Sequence, residues 1–249
     1  MSTHNYSIAE LVIATMARLT EHEGLVTGVT PCSLAAALLS KSMYDRDQMV
    51  LWGAGSVLGP TGPQATLTSL AHDPPAVGRL TLGDVFDYVH QGRLSIWITP
   101  AQLDRTGNAN ISCIGPWTRP KTALVGSRGL PDDSVNLRGM CYYVPRHSAR
   151  VFVERVDFVS ALGGPRSAGD AAGRPAWVVS NLGVFDFGGA GGTLRLVSRH
   201  PGVETETVAR QTGFALDIPP DVPTTPAPPL EMLNALRALD PEQLRDAEF

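Results

Sequence analysis

Short apolar runs, each closed by turn residues and interleaved with stretches of helical period, recur along this chain and restrict it to a layered α/β fold. Leu25 to Gly28, Gln48 to Trp52, Leu94 to Ile98, Cys141 to Val144 and Ala176 to Ser180 are too short for buried helices. Leu94-Ser95-Ile96-Trp97-Ile98 alternates little and is rich in β-branched and aromatic residues, as a strand covered on both faces requires. Between these runs lie helix patterns. Ser7-Ile8-Ala9-Glu10 has the form of a capping box, and Ile8, Leu11, Val12, Thr15, Met16 and Leu19 make one stripe up to Glu23-Gly24. Thr30-Pro31-Cys32-Ser33 opens an Ala- and Leu-rich helix to about Lys41, and Leu82 to Val89 forms a short helix ending near Gly92. Leu130-Pro131-Asp132-Asp133 starts another with carboxylates at its positive end, and Glu204 to Gln211 is stopped by Gly213.

Val151 to Val153, extended by Val156 to Val159, together with Val184 to Phe187 and Thr193 to Ser198, complete the predicted strands. Pro60 to Pro75 and Gly163 to Gly173 are predicted loops. Gly188 to Gly192 lacks the lysine and the strand-to-helix setting of a phosphate loop, so it is predicted to join a hairpin. The order of elements predicts an α/β open sandwich over residues 1–217, with a Pro-rich C-terminal extension over 218–249. Ile218 to Pro229 cannot form a regular helix and is expected to run as an extended tether. Leu230 to Leu239 and Pro241 to Ala247 then form a helical tail. Its Leu230, Leu233, Leu236 and Leu239 need an apolar surface, from this chain or another.

Composition narrows the function classes. With 249 residues, 43% of them hydrophobic, the chain can bury a large core. A formal net charge of −4 gives no basic footprint for nucleic acid or an acidic membrane surface. No apolar run approaches a bilayer span and no charged-then-apolar signal opens the chain, so a cytoplasmic protein is expected. Cys32, Cys113 and Cys141 are widely separated and the six histidines are scattered, so neither set has metal-ligand spacing. No metal and no separate cofactor are expected.

The stretch from Gln102 to Gly129 carries the densest chemistry. Gln102-Leu103-Asp104-Arg105-Thr106-Gly107-Asn108-Ala109-Asn110 is followed by Arg119-Pro120-Lys121 and then Gly126-Ser127-Arg128-Gly129. Two readings are open. Gly-containing turns let backbone amides approach a ligand, with Asn108, Asn110, Ser127 and Arg128 placing donors beside them as an oxyanion-binding wall. Alternatively, Asn and Gly are ordinary turn formers. Arg146, His147 and Arg150 also admit two readings, a solvated basic loop or a contact to coenzyme A phosphates.

This stretch resembles the beta subunits of family I coenzyme A transferases, which carry a Gln-Val-Asp-x-x-Gly-Asn-x-Asn segment, a Pro-Lys and a Gly-Ser-Gly-Gly-Ala turn. Phe152-Val153-Glu154-Arg155-Val156-Asp157-Phe158, Leu182-Gly183-Val184-Phe185, His200-Pro201-Gly202-Val203, Thr212-Gly213-Phe214 and Leu239-Asp240-Pro241 extend the match in order over most of the chain. The resemblance implies the coenzyme A transferase type of fold. It also implies an acyl-coenzyme A substrate, a larger alpha subunit as partner in an alpha2beta2 assembly, and Gly126 and Gly129 as positions where the backbone meets the coenzyme A thioester.

The main departure falls at Gly53. There the family carries a nucleophilic glutamate, yet no Asp or Glu occurs here between Asp47 and Asp73. Within the family this pattern resembles the actinobacterial ring-cleaving hydrolase of cholesterol breakdown. That resemblance implies hydrolysis of a carbon–carbon bond in a cyclohexenone carboxyl-coenzyme A left from steroid rings C and D, with the carboxylate coming from the alpha subunit. Asn108, Asn110, Ser127 and Arg128 are then the catalytic candidates. The alternatives are an ordinary coenzyme A transferase subunit and a non-catalytic scaffold. Arg128 stands where the family has a second glycine, and either clamps a substrate carboxylate or forms a surface salt bridge.

Overall fold

The computed structural model describes residues 5–20, 24–44, 49–52, 56–58, 66–68, 76–164 and 175–249. In chain order the elements are α1 (Ile8–Leu19), β1 (Leu25–Gly28), α2 (Pro31–Met43), β2 (Met49–Trp52), β3 (Ser56–Leu58), β4 (Ala76–Arg79), α3 (Leu82–His90) and β5 (Leu94–Ile98). Then come β6 (Gln102–Leu103), β7 (Ala109–Asn110), β8 (Cys113–Ile114), β9 (Thr122–Ala123), α4 (Leu130–Asn136), β10 (Gly139–Val144), β11 (Pro175–Ser180), β12 (Gly183–Asp186) and β13 (Arg195–Arg199). The chain closes with α5 (Thr205–Gln211), α6 (Leu230–Leu239) and a 3-10 turn, Leu244–Glu248. These elements form two compact units, one of Met1–Ile98 with Pro226–Phe249 and one of Thr99–Thr225.

In the first unit β1 lies between β2 and β5, parallel to both, with Leu25 opposite Met49 and Leu94. Strands β3 and β4 continue from β2 antiparallel. The α1 capping box forms as the sequence predicts. Ser7 Oγ accepts from Glu10 N (3.2 Å) and Glu10 Oε2 accepts from Ser7 N (2.9 Å). The single apolar stripe expected for α1 is widened, because every side chain from Ala9 to Ala17 is buried.

Packing on two sides explains that burial: α1 lies chiefly against α2, and α6 of the C-terminal tail packs on both. Met232, Leu233 and Leu236 are buried and Leu230 is exposed. An α-helix turns roughly 100° per residue, so Leu230 and Leu239 fall on opposite sides and a stripe spaced by three can be buried only in its middle. The surface the tail required is its own unit. It is also held by charge. Arg245 Nη1 reaches Asp240 Oδ2 at 2.9 Å, Arg245 Nη2 reaches Glu10 Oε1 at 3.4 Å, and Arg237 Nε meets Glu10 Oε1 at 2.7 Å. Burial alone would push the Glu10 carboxyl up, but the Arg237 hydrogen bond, the Ser7 N–H and the two guanidinium charges together hold it below the usual carboxylate range.

In the second unit β10 runs parallel to β11, and β11, β12 and β13 follow antiparallel. The glycines from Gly188 to Gly192 join β12 to β13, the hairpin connection the sequence predicts. The proline-rich stretch lies along β13. Leu196 N donates to Asp217 O, Arg199 N to Pro223 O, and Thr225 N back to Arg199 O. The tether thus covers part of a strand edge with a segment whose prolines cannot extend the ladder.

Val151 to Val153 and Val156 to Val159 are not strands. Phe152 makes a single bridge with Leu103, while Leu103 N donates to Val151 O and Val153 N to Leu103 O. Asp157 N is turned onto the Gln102 side chain. Backbone groups that could have built a ladder are satisfied instead by the β6 hairpin, so the segment stays irregular.

Candidate functional site

The second unit contains every residue that the motif from Gln102 to Gly129 singled out. Strands β6 and β7 pair antiparallel around the turn from Asp104 to Asn108. Asp104 Oδ1 accepts from Thr106 N (2.9 Å), Thr106 Oγ1 (2.8 Å) and Asn108 N (3.0 Å), and its Oδ2 accepts from Asn108 Nδ2 (2.8 Å). Asn108 Nδ2 also reaches Thr106 Oγ1 at 3.1 Å, and Asn108 Oδ1 accepts from Gly163 N at 2.9 Å. Gly163 can come this close because it has no Cβ; one there would collide with the Thr106 carbonyl.

Asn110 is buried and equally committed. Its Nδ2 donates to Gln102 Oε1 and Cys113 O, both at 2.7 Å, while Oδ1 accepts from Ser112 N at 2.9 Å. Gln102 Nε2 in turn donates to Asp157 Oδ2 (3.0 Å), which also accepts from Gly115 N (2.8 Å). Both amide hydrogens of Asn108 and of Asn110 are therefore spent inside the protein. A buried polar group left unpaired costs about 1–3 kcal/mol, and the chain avoids that cost by supplying its own acceptors. In this geometry the two asparagines brace the loops and offer no N–H to a ligand.

The turn from Gly126 to Gly129 is tied to that brace. Gly126 N donates to Ile111 O (3.2 Å) and Leu124 N to Ser112 O (3.0 Å). Ser127 Oγ lies 2.7 Å from Ser112 Oγ, which lies 2.7 Å from Ser160 Oγ. Gly126 has φ +85°, a conformation that glycine adopts without strain. Ser127 O accepts from Leu130 N (3.0 Å), closing a turn with Arg128 at φ 51° and Gly129 at φ −81°, ψ −8°. Arg128 occupies the left-handed region where the resembled family has glycine, and it is exposed. Among the described residues its guanidinium makes no hydrogen bond or ion pair, and the backbone N–H groups of Ser127, Arg128 and Gly129 meet no acceptor. The surface salt bridge weighed for Arg128 is thus not formed within the described part of the chain. Gly53, the position of the missing family nucleophile, lies outside the described residues.

The basic loop from Pro145 to Arg150 divides. Arg146 and Arg150 are exposed, but His147 is buried, its ring stacked on Phe152 at 3.8 Å between Ser180 Oγ and Thr212 Oγ1, each at 3.0 Å. Burial pushes its pKa down to about 3. His200 is also buried, with Thr225 Oγ1 at 3.0 Å and Ser180 O at 2.8 Å; burial outweighs the Ser180 hydrogen bond and lowers its pKa to about 4. Neither ring serves as a solvent-facing cation. Unfolding restores both to an ordinary pKa near 6.5, so below that pH the unfolded chain binds protons that the folded chain refuses. Folding stability is expected to be complete above roughly pH 6.5 and to fall with pH toward 4, by about 1.4 kcal/mol per pH unit for each ring. Denaturant titrations at stepped pH check this, and His200→Gln should remove about half of the slope.

Among the described residues no His, Cys, Asp and Glu cluster could hold a metal ion, and no helix is long and apolar enough to cross a membrane. Cys32, Cys113 and Cys141 are all buried.

No protein-family model matches the chain. Among curated proteins, it is 35% identical over 223 residues to the cholesterol ring-cleaving hydrolase IpdB subunit of Rhodococcus jostii RHA1, covering 86% of this chain and 84% of that one. The chain belongs to the IpdB subunit family. Among solved structures, it superposes on a chain of the R. jostii IpdAB crystal structure with a TM-score of 0.90 at 32% identity, covering 98% and 99% of the two chains. The Acidaminococcus fermentans glutaconate coenzyme A-transferase structure matches with a TM-score of 0.77 at 25% identity, over 96% of each chain. The fold of this IpdB-family chain is therefore the coenzyme A transferase fold, mixed α/β as its sequence predicts.

Several residues of the site were not singled out from sequence. Gln102 and Asp104 lie in the Gln102–Asn110 motif and Asp157 in the Phe152–Phe158 motif, so hydrogen-bonding side chains beside Asn108 and Asn110 are the sequence signal of the frame that orients them. Ser112 lies inside the stretch from Gln102 to Gly129 without a signal of its own, and Ser160 lies outside every motif.

Proposed function

We propose that this chain is the beta subunit of a heteromeric hydrolase that opens a carbon ring in an acyl-coenzyme A, with the catalytic carboxylate supplied by a larger alpha subunit. The observation that carries the reading is the relationship to the R. jostii IpdB subunit along most of both chains. The absence of any carboxylate between Asp47 and Asp73 agrees with it, because a covalent transferase intermediate requires one. The substrate class is a cyclohexenone carboxyl-coenzyme A derived from steroid rings C and D, and the assembly is alpha2beta2, in the cytoplasm.

The chemistry asks for fixed donors. Water adds to the ring ketone, the adjacent carbon–carbon bond breaks, and its electron pair passes into the thioester enolate. Two oxygens therefore gain negative charge, and one general base must take a proton from water. This chain offers Ser127 Oγ and the amides of Arg128 and Gly129 toward such oxygens, and the Arg128 guanidinium toward a substrate carboxylate. Asn108 and Asn110 hold the loops that present them. The base comes from the partner.

The test is the product. The co-expressed pair, given the cyclohexenone carboxyl-coenzyme A, is expected to yield a thioester heavier by one water, identified by mass spectrometry, with coenzyme A still attached. Release of free coenzyme A, or turnover only when succinate or acetate is added as acceptor, would instead establish a transferase.

A further inference from the structure

Ser127, Ser112 and Ser160 stand in line, with Oγ to Oγ separations of 2.7 Å at both steps, and Ser160 Oγ also accepts from Ile111 N at 3.0 Å. Each hydroxyl has one hydrogen to donate. Among the described residues no other acceptor reaches any of the three, so two contacts must be shared among three hydrogens and one hydrogen is left over. If the bonds run inward, the spare hydrogen sits on Ser160, which is 1% exposed. If both ends donate to the middle, it is stranded on Ser112, which is 4% exposed. Only when Ser160 donates to Ser112 and Ser112 to Ser127 does it fall on Ser127, the half-buried member. A buried donor without an acceptor is penalised, so the line is polarised outward.

We infer that Ser112 and Ser160 are positioning residues that fix Ser127 as an outward hydrogen-bond donor to an oxygen of the acyl-coenzyme A substrate. The substrate class rests on the function proposed above; the direction of the line rests on its geometry alone. Ser160 is itself held by the β7 hairpin, its N donating to Ala109 O at 2.8 Å and its Oγ receiving the Ile111 N–H. Successive donation polarises each hydroxyl and strengthens the last donor. Ser112 and Ser160 touch no substrate in this scheme. They act through Ser127.

A double-mutant cycle on the assembled complex separates this role from packing. Ser127→Ala, Ser112→Ala and the double variant are compared by kcat/KM and by the calorimetric Kd for acetoacetyl-coenzyme A. Ser127→Ala is expected to weaken both by about tenfold and Ser112→Ala by roughly three- to tenfold, while the double variant is no worse than Ser127→Ala alone. If Ser112→Ala does not assemble, Ser160→Ala breaks the line one residue further back and carries the same expectation. Effects that multiply, a Ser112→Ala complex indistinguishable from wild type, or a wild-type complex that does not bind acetoacetyl-coenzyme A would each overturn the inference. Coupling in the binding cycle, from a wild-type pair that forms no ring-opened thioester, would overturn the proposed function and leave the serine line standing.

Discussion

Purified without a partner subunit, the chain is expected to leave acyl-coenzyme A substrates unchanged, and to become active only when the alpha subunit is added. Activation of water requires a base within hydrogen-bond reach, and loss of such a group alone costs about 10²- to 10⁴-fold in rate. Among the described residues, the acids that frame Asn108 and Asn110 and the two buried histidines are already committed to other partners. Asp104 already accepts four hydrogen bonds, and Asp157 Oδ2 accepts two. His147 and His200 are buried with partners on both ring nitrogens. At the position that resembles the coenzyme A transferase nucleophile the sequence has Gly53, and no Asp or Glu occurs between Asp47 and Asp73. Coenzyme A thioester consumption followed by liquid chromatography, with the isolated chain at micromolar concentration and then with the partner titrated in, measures the effect. Robust turnover by the isolated chain would sink the shared-site reading.

What the sequence made legible depended on whether neighbours in the fold were also neighbours in a pattern. The α1 capping box involves residues three apart and was visible, as was the hairpin at Gly188 to Gly192. The motif around Asn108 and Asn110 was visible as a locus, but its meaning lay in contacts across the chain. Gln102 meets Asp157, Asn108 meets Gly163, and Ser112 meets both Ser127 and Ser160, none of which has a periodicity to betray it. Donor-rich residues were singled out because they can bind a ligand. The structure shows that Asn108 and Asn110 have used that capacity on the protein itself.

Burial was the other quantity a linear reading could not supply. His147 lies close to Arg146 and Arg150 in sequence, which left a solvated basic loop open as a reading, yet its ring is buried against Phe152 between Ser180 and Thr212 while Arg146 and Arg150 are exposed. The leucine stripe of the tail was correctly sensed as needing a cover, and only packing of α6 on α1 and α2 identified that cover. Val151 to Val159 had strand composition, but Val151 O and Val153 N pair with Leu103, Val151 N and Phe152 N with Ser148 O, and Phe152 O with Gly213 N, so no ladder forms. Composition proposes an element; competition for backbone partners decides it.

Arg128 makes the sharpest separation between folding and function, because the two should respond in opposite directions to one substitution. The residue is held at φ 51°, where a side chain costs about 1 kcal/mol or somewhat more relative to glycine, and among the described residues it receives no hydrogen bond or ion pair in return. Arg128→Gly is therefore expected to stabilise the chain by about 1 kcal/mol, roughly 2–4 °C in Tm for a chain of this length. If the guanidinium clamps a substrate carboxylate, the same variant forfeits a charged hydrogen bond worth about 1.5–3 kcal/mol, and kcat/KM of the assembled complex should fall by roughly ten- to a hundred-fold. Arg128→Lys should recover only part of that loss, since a point charge cannot reproduce a planar two-pronged donor. Arg128→Ala, which loses the guanidinium and keeps the strain, should match the glycine variant in kinetics without its gain in stability. Thermal melts and steady-state kinetics of the three complexes distinguish the cases. A glycine variant that is both more stable and as active as wild type would show that the strained arginine holds no substrate, and would remove the clamp from the site.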